Sequence, residues 1–322
     1  MLRWQVKLGC PLDHQPTGVV SGNVSAMHCA PYARTTHHAK GGNREYGAVL
    51  TVLVLGGTSE ARELAAELAG QPGLRVISTL AGRVRDPALP AGEVRIGGFG
   101  GAPGLADWAR AHGVDAIVDA THPFAETISA HAVAACARTG LPLLRLTRPG
   151  WLEQPGDDWH QVGSLHEAAA ILPSLGTRVF LTTGRQGLAA FAPPRPAAPS
   201  QAALAALWFL IRCVDPPSGA MPANREVLLA RGPYTQDAER ALMRRFAINV
   251  LVTKNSGGSL TEGKLAAARD LGLPVVMVRR PATPPAPAVS AVPDAVSWVR
   301  GCAQASEAQA PAGRAPDRNA GA

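Results

Sequence analysis

Glycine-rich turns that carry polar residues recur along this sequence, and the first follows the apolar run at residues 49–55. It reads Gly56-Gly57-Thr58-Ser59-Glu60-Ala61-Arg62. A strict dinucleotide fingerprint is G-x-G-x-x-G/A, and here a threonine replaces the middle glycine. The glycine pair still lets backbone amides approach a pyrophosphate, and the start of the following helix favours an anion. The turn predicts dinucleotide binding by residues 56–62; the alternative is a plain tight strand-to-helix turn.

The segment after the second apolar run bears on which dinucleotide is bound. Folds that bind NAD usually place Asp or Glu there for the ribose 2′-hydroxyl. This chain instead has Ser78 and Thr79, followed by Ala81, Gly82 and Arg83. Hydroxyl groups and a nearby arginine suit a 2′-phosphate, so NADPH is favoured over NADH, with Ser78 and Arg83 as contacts. A surface arginine after a strand is the alternative.

A third polar segment, Asp119-Ala120-Thr121-His122-Pro123-Phe124, ends another apolar strand. Ligands of open α/β sheets sit at the carboxyl ends of the strands. Thr121 and His122 are therefore predicted to contact the nicotinamide end of the cofactor or the substrate. His122 is also a candidate proton donor near neutral pH. The alternative is that Thr121 caps the next helix and His122 is structural.

Two more polar turns lie in the second half of the chain. They read Thr182-Thr183-Gly184-Arg185-Gln186-Gly187 and Thr253-Lys254-Asn255-Ser256-Gly257-Gly258. Glycine amides with Arg185, Lys254 and the downstream Lys264 would suit carboxylates or phosphates. Residues 259–262 also fit a helix capping box, and Arg185 and Lys264 would individually pass as solvated surface charges.

The elements that must position these turns alternate between strands and helices, which predicts an α/β fold with parallel sheets. Residues 49–147 are predicted to form a first domain and residues 148–303 a second. The Pro/Ala-rich residues 193–206 are expected to be a surface loop. Residues 1–48 are interpreted as a disordered leader or a mis-assigned start, and residues 304–322 as a disordered tail.

Composition narrows the function classes. The formal charge is +7, with a sequence pI of about 9.6, but no basic run is interleaved with aromatics, which disfavours nucleic-acid binding. An anionic ligand or an arginine-rich surface explains the excess. Five cysteines without a CxxC pair argue against a disulfide framework or a zinc site, and no metal is predicted. Without a membrane-length apolar run or a signal-peptide core, a cytoplasmic location is expected.

Taken in order, the motifs resemble those of the precorrin-6A reductase family over roughly residues 50–300. Besides the turns above, the resemblance rests on Leu80-Ala81-Gly82-Arg83, Gly97-Gly98-Phe99-Gly100-Gly101, Arg148-Pro149-Gly150-Trp151 and Arg231-Gly232-Pro233-Tyr234. One such motif is weak evidence, whereas their ordered succession is specific.

The resemblance implies two Rossmann-like domains with the active site in the cleft between them. It implies reduction of precorrin-6A to precorrin-6B by NADPH in cobalamin biosynthesis, or of the cobalt analogue. The substrate would be a tetrapyrrole rich in carboxylates, and the protein would contact other enzymes of that pathway transiently. The candidate substrate-binding residues are Arg148, Arg185, Arg231, Lys254, Asn255, Ser256, Gly257, Gly258 and Lys264.

Three other functions stay open. A reductase of the short-chain type would need a Tyr-x-x-x-Lys pair, but the residues four places after Tyr32, Tyr46 and Tyr234 are not lysines. A non-catalytic NADP-sensing protein would keep the turn at residues 56–62 but have little use for residues 254–258. A tetrapyrrole enzyme that uses no nicotinamide would not bind NADPH.

Overall fold

A computed structural model describes residues 49–82, 88–192 and 201–308. The predicted leader, Arg83, residues 193–200 and residues 309–322 of the predicted tail lie outside these ranges. Two six-stranded sheets form the fold, and all strand pairs in both are parallel. The predicted α/β class with parallel sheets is confirmed.

The first sheet has the strand order β12-β5-β4-β1-β2-β3. Its strands are β1 (Leu50–Leu55), β2 (Leu74–Leu80), β3 (Glu93–Ile96), β4 (Ala116–Asp119), β5 (Leu143–Leu146) and β12 (Ala288–Val289). The helices between them are α1 (Ser59–Ala69), α2 (Gly101–Ala111) and α3 (Glu126–Thr139). Every residue of β1 is buried, as expected for a central strand covered on both faces.

The second sheet has the order β6-β11-β10-β7-β8-β9. Its strands are β6 (Trp159–Val162), β7 (Arg178–Leu181), β8 (Trp208–Cys213), β9 (Arg225–Leu229), β10 (Val250–Lys254) and β11 (Val275–Val278). The accompanying helices are α4 (Leu165–Leu175), α5 (Ala202–Ala206), α6 (Gln236–Arg245) and α7 (Gly263–Asp270). The apolar side chains of the two sheets form four buried clusters, one on each sheet face.

The end of the chain departs from the predicted domain boundary. Residues 148–303 were expected to form one unit, but β12 pairs with β5 of the first sheet, and the last helix, α8 (Val292–Ala308), packs there too. Val292, Val296 and Val299 share a buried cluster with α1 and β1. The apolar stripe of α8 completes the cover of the first sheet, so the chain crosses between the sheets twice.

The expected loop at residues 193–206 needs a partial correction, because residues 202–206 form α5. Its alanines and leucine favour a helix despite the neighbouring prolines. Throughout the described ranges, no helix is both long and apolar enough to cross a bilayer.

Candidate active site

The turn after β1 has the geometry of a phosphate-binding loop. A Cβ on Gly56 would lie 3.1 Å from the carbonyl oxygen of Thr79, which accepts a hydrogen bond from the Gly56 amide at 3.0 Å. Gly57 has a φ of +115° with nothing within 4 Å of where a Cβ would project. The first glycine therefore permits close contact with β2, and the second leaves open space above the start of α1.

Thr58 explains why the turn departs from the strict fingerprint. Its hydroxyl oxygen accepts a hydrogen bond from the Ala61 amide at 3.1 Å and is the N-cap of α1. The same hydroxyl donates to the carbonyl of Ala120 at 2.8 Å, just after β4. A glycine could make neither bond, so this threonine fixes the turn to the neighbouring strand.

Glu60 connects the turn to the second half of the chain. Its carboxylate accepts hydrogen bonds from Ser59 at 3.0 Å and from Arg148 at 2.9 and 3.1 Å. Burial by itself raises the pKa of Glu60, but its own backbone N–H and Arg148 outweigh that effect and lower the pKa below its usual value. Arg62, the last residue of the same sequence motif, lies one turn along α1 and is half-buried.

Ser78 does not lie at the edge of the sheet, where the cofactor prediction placed it. It is 1% exposed and lies in register between Val54 of β1 and Val94 of β3. The prediction counted Ser78 with the segment that follows the second apolar run, whereas β2 continues to Leu80. Ser78 is thus an interior strand residue and not a ligand at the sheet edge; Arg83 lies outside the described residues.

At the end of β4, Asp119 organises the polar segment predicted to face the ligand. One of its carboxylate oxygens accepts hydrogen bonds from the Thr121 hydroxyl at 2.7 Å and the Thr121 amide at 3.2 Å. Its other oxygen lies 3.5 Å from Nε of Arg145 on β5. Thr121 is thereby held at the sheet edge with its hydroxyl proton committed to Asp119.

His122 is exposed beside the cleft, but its surroundings disfavour a charged ring. Desolvation by the cleft walls, together with the charges of Arg148, Lys254 and Arg280, lowers the pKa of His122 to about 4. Its Nδ1 accepts a hydrogen bond from the Phe124 amide at 3.2 Å, which leaves the ring proton on Nε2. The lowered pKa favours the neutral imidazole, and the role of His122 as a proton donor near neutral pH stays a prediction.

A cavity of about 440 Å³ lies at the carboxyl ends of β7, β8 and β10, and His122 of the first domain contributes to its wall. This position is where parallel α/β sheets bind ligands. The predicted residues in its lining are His122, Arg185, Lys254, Ser256 and Lys264. The lining residues that belong to the quoted turns and motifs without having been named as ligands are Thr182, Thr183, Gly184, Gln186, Tyr234 and Thr253. The lining residues outside those motifs are Arg212, Cys213, Val214, Asp215, Ala230 and Thr261.

The predicted cations divide into two groups. Lys254 and Lys264 line the cavity, and burial lowers the pKa of both. Lys254 also lies 5.3 Å from the ring centroid of Phe124, across the cleft. Arg231 is exposed and does not line the cavity, and Arg148 lies at the contact between the two domains.

Most of residues 254–258 pack against the linker that enters the second domain, and this changes their predicted role. Asn255 exchanges hydrogen bonds with the backbone of Trp151, at 2.8 and 3.2 Å. A Cβ on Gly257 would lie 2.0 Å from the carbonyl oxygen of Pro149, and one on Gly258 would lie 2.9 Å from Cδ of Arg148. These residues were expected to cradle the substrate; the two glycines instead give the linker room to pass.

Two arginines, Arg148 and Arg280, complete this contact. We call the contact the junction, and it consists of Glu60, residues 148–151, residues 254–258 and Arg280. Arg148 donates to the carbonyl of Ser256 at 2.8 Å as well as to Glu60. Arg280 donates to the carbonyls of Arg148, Asn255 and Ser256 at 2.9, 2.9 and 3.2 Å. The junction therefore holds the carboxyl ends of β1 and β10 towards each other.

Arg212 is the most consequential residue that the sequence prediction missed. It pairs with Glu239 of α6 through two hydrogen bonds, and the two side chains are 6% and 2% exposed. Its guanidinium also lies over the ring of Tyr234, 3.7 Å from the centroid. A charged residue inside the otherwise apolar β8 was the available signal, because such a residue needs a buried partner.

Comparison with known proteins agrees with this architecture. Residues 51–300 match the family described as precorrin-6x reductase CbiJ/CobK. A precorrin-6A reductase of Rhodococcus erythropolis is 58% identical over 249 residues, covering 77% of this chain and 96% of the relative. A cobalt-precorrin-6A reductase of Priestia megaterium is 31% identical over 233 residues, covering 71% of this chain and 90% of the relative.

A solved structure described as CobK precorrin-6A reductase superposes with a TM-score of 0.71 at 41% identity, covering 79% of this chain and 97% of that one. The family match spans most of the chain, and the relatives are covered almost from end to end. The chain therefore belongs to the precorrin-6x reductase CbiJ/CobK family, as the order of its sequence motifs predicts.

Proposed function

We propose that this protein catalyses the NADPH-dependent reduction of precorrin-6A to precorrin-6B in cobalamin biosynthesis. The observation that carries the proposal is the bridge from Glu60 through Arg148 to Ser256. This bridge holds the glycine turn of the first sheet close to the cavity of the second sheet, which is lined with cations. A dinucleotide on one edge and an acidic tetrapyrrole on the other would then meet at the cleft. The family of the chain and the names of its relatives support the same reaction.

The turn after β1 fits a nicotinamide dinucleotide. Gly57 leaves open space at the start of α1, and the helix terminus favours phosphate. NADPH is preferred to NADH because the residues directly after β2 are Ala81 and Gly82 and not an Asp or Glu. The bound cofactor would supply the hydride. Of the predicted cofactor residues, Gly56, Gly57 and Thr58 shape the turn, while Glu60 and Arg62 flank it on α1.

The other half of the cleft would bind and orient the substrate. Lys254 and Arg185 provide positive charge in the cavity for the carboxylates of a tetrapyrrole. His122, neutral and with its proton on Nε2, would donate a hydrogen bond at the boundary between cofactor and substrate. The packed junction excludes water from one side of this boundary.

Metal-free precorrin-6A is the proposed substrate. Identity to the relative named precorrin-6A reductase is 58%, against 31% to the one named for the cobalt form. We further propose that the protein works in the cytoplasm, since the buried Cys136 and Cys213 are free thiols, and that it contacts neighbouring pathway enzymes transiently.

Anaerobic incubation of the protein with NADPH or NADH and each form of the substrate tests the proposal. We expect stoichiometric NADPH oxidation and a shift of the tetrapyrrole spectrum with metal-free precorrin-6A. NADPH binding without turnover of either form would instead indicate a sensor, and absence of NADPH binding would indicate an enzyme that uses no nicotinamide. Turnover of the cobalt form alone would reverse the assignment of the substrate.

Lys254→Ala is expected to weaken the binding of precorrin-6A by roughly ten- to a hundredfold, because it removes a charge-assisted hydrogen bond from a half-buried position. The dissociation constant for NADPH should change less than threefold. Arg244→Ala is the matched control: Arg244 is exposed in the last turn of α6, outside the cavity, and its loss should leave both constants within about twofold. An equal loss of both ligands in Lys254→Ala would contradict the division of the cleft into two binding edges.

A further inference from the structure

Asp119 is a buried carboxylate at the point where the strand order of the first sheet reverses. It is 2% exposed, ends β4 and lies beside Leu55 of β1 in the parallel register. The chain runs from β1 to β3 in one direction and then returns to β4 on the other side of β1. Dinucleotides bind across such a reversal, with the ribose of the adenosine half next to the end of β2. The nicotinamide half therefore extends over the end of β4.

Asp119 determines the direction of the hydrogen bond that the Thr121 hydroxyl makes. A carboxylate only accepts, so the Thr121 hydroxyl donates to Oδ1 at 2.7 Å, and the Thr121 amide donates to the same oxygen at 3.2 Å. A hydroxyl has one proton and two acceptor lone pairs. The hydroxyl of Ser129, 3.4 Å away, occupies at most one of these lone pairs. The half-buried Thr121 thus offers a ligand an acceptor and no proton.

Arg145 compensates the buried charge of Asp119 without replacing its bond to Thr121. Nε of Arg145 lies 3.5 Å from Oδ2 of Asp119, and neither atom has a hydrogen-bond partner within the described residues. The two Nη atoms instead donate to the hydroxyl of Thr283 at 2.9 Å and to the carbonyl of Pro284 at 3.2 Å. A buried carboxylate needs a positive partner, and the segment between β11 and β12 holds this one in place.

We propose that Asp119 is a positioning residue for the nicotinamide ring: by holding the Thr121 proton, it makes the Thr121 hydroxyl an acceptor for the carboxamide N–H of the bound cofactor. The inference rests on the proposed function and deepens it. A carboxamide carries an oxygen acceptor on one side and an NH2 donor on the other. A partner that only accepts therefore selects one of its two orientations. Asp119 touches neither cofactor nor substrate in this role and acts through Thr121.

The substrate is the competing partner of the Thr121 hydroxyl. His122 lines the cavity of the second sheet, whereas Thr121 is not part of that lining. The Ala120 carbonyl, directly before Thr121, accepts the bond from Thr58 of the turn after β1 at 2.8 Å. A hydroxyl that only accepts also suits the carboxylates of a tetrapyrrole badly, because ionised carboxylates have no proton to donate. We therefore assign Thr121 to the cofactor.

The test compares the binding of NADPH with that of its acetylpyridine analogue, in which a methyl group replaces the carboxamide NH2. Anaerobic fluorescence titrations without substrate give both dissociation constants. We expect the parent protein to bind NADPH about three- to tenfold more tightly than the analogue, which corresponds to one hydrogen bond. In Thr121→Val and in Asp119→Asn the two constants should agree within about twofold, whereas Thr121→Ser should keep the preference.

Asp119→Asn keeps the shape of the side chain and changes only its polarity. One acceptor oxygen becomes an NH2 donor, which then faces the Thr121 hydroxyl or Arg145, and both of these are donors in the parent protein. When the new amide faces Thr121, the hydroxyl accepts from it and its own proton is free to point at the cofactor. Asp115→Asn is the matched control, because Asp115 directly precedes β4 at its other end and accepts from the Thr51 amide at 2.8 Å. This variant should keep the preference for NADPH.

A purely structural role of Asp119 would lower stability without changing the preference between two cofactors of equal size. Thermal unfolding shows which variants are folded, and if Asp119→Asn is not, the two Thr121 variants decide. An absent preference in the parent protein, or one that persists in Thr121→Val or in folded Asp119→Asn, overturns the inference and leaves the proposed function standing.

Titration with precorrin-6A separates the remaining outcomes. Weaker binding of precorrin-6A with an unchanged cofactor preference in the variants would assign Thr121 to the substrate and overturn the inference. The proposed function itself fails if the parent protein binds neither cofactor or does not oxidise NADPH in the presence of precorrin-6A.

Discussion

Glu239→Ala is expected to lower the free energy of unfolding by about 3–5 kcal/mol, because it leaves the buried Arg212 guanidinium without its partner. For a chain of this size, that loss corresponds to a fall in melting temperature of roughly 6–20 °C. The effect should extend to the cavity, since Arg212 lies over Tyr234 and also repels the Lys264 amine. Thermal and urea unfolding measure the first effect, and precorrin-6A binding measures the second.

Two controls distinguish the buried pair from charge in general. Glu93→Ala removes one partner of the exposed pair with Arg75, which should cost no more than about 1 kcal/mol. The double variant Arg212→Met/Glu239→Leu replaces the buried pair by apolar side chains and should recover most of the lost stability. If Glu239→Ala and Glu93→Ala lowered the free energy of unfolding by the same small amount, Arg212 would have found another partner or solvent. The buried pair would then not stabilise the fold as predicted.

The fold was predictable because the central strands of both sheets have the same sequence signal. Buried parallel strands are apolar throughout, so the run at β1 and the strand at Trp208–Cys213 stand out from the helical periodicity between them. The strands that escaped prediction, β3, β6 and β12, are at most four residues long, and two of them carry charged or polar residues at a sheet edge. Short edge strands lack the apolar signal.

The return of the chain to the first sheet could not be predicted from local pattern. β12 has two residues, and the apolar stripe of α8 would suit either sheet. What decides the pairing is the available face: α8 covers the part of the first sheet that α1 leaves open. Such competition between equivalent surfaces is a tertiary effect that no local window of sequence contains.

The residue types of the candidate site could be predicted from the sequence, whereas the position of each residue within it depends on the tertiary fold. Polar turns after the strands correctly indicated the sheet edges that meet, and Lys254 and Lys264 do line the cavity. Asn255, Gly257 and Gly258 have the residue types of an anion cradle, yet glycines also permit close packing of two backbones. Only the position of the linker at Pro149 decides between the two roles.

Gly257→Ala is expected to disrupt the junction. Its Cβ would lie 2.0 Å from the carbonyl oxygen of Pro149 and 2.9 Å from the Arg280 guanidinium, at a φ of +68°. The left-handed conformation costs an alanine about 1–2 kcal/mol, and overpacking adds typically 1–3 kcal/mol. Because the linker must move, the bonds that Arg148 and Arg280 make across the junction should weaken too. We expect a loss of roughly 2–5 kcal/mol in unfolding free energy, measured by urea denaturation.

The alignment of the two sheet edges depends on the same contact, so catalysis should fall further than ligand binding. In Gly257→Ala, the separate dissociation constants for NADPH and precorrin-6A should change modestly while the rate of reduction falls at least about tenfold, since a misplacement of about 1 Å suffices for such losses. Gly272→Ala is the matched control: it has a φ of +62° in the same domain but nothing within 4 Å of its Cβ. That variant should show the conformational cost alone and a normal rate. If the two variants had the same stability and the same rate of reduction, the close approach at Pro149 would not align the domains. The junction would then tolerate movement in spite of its hydrogen bonds.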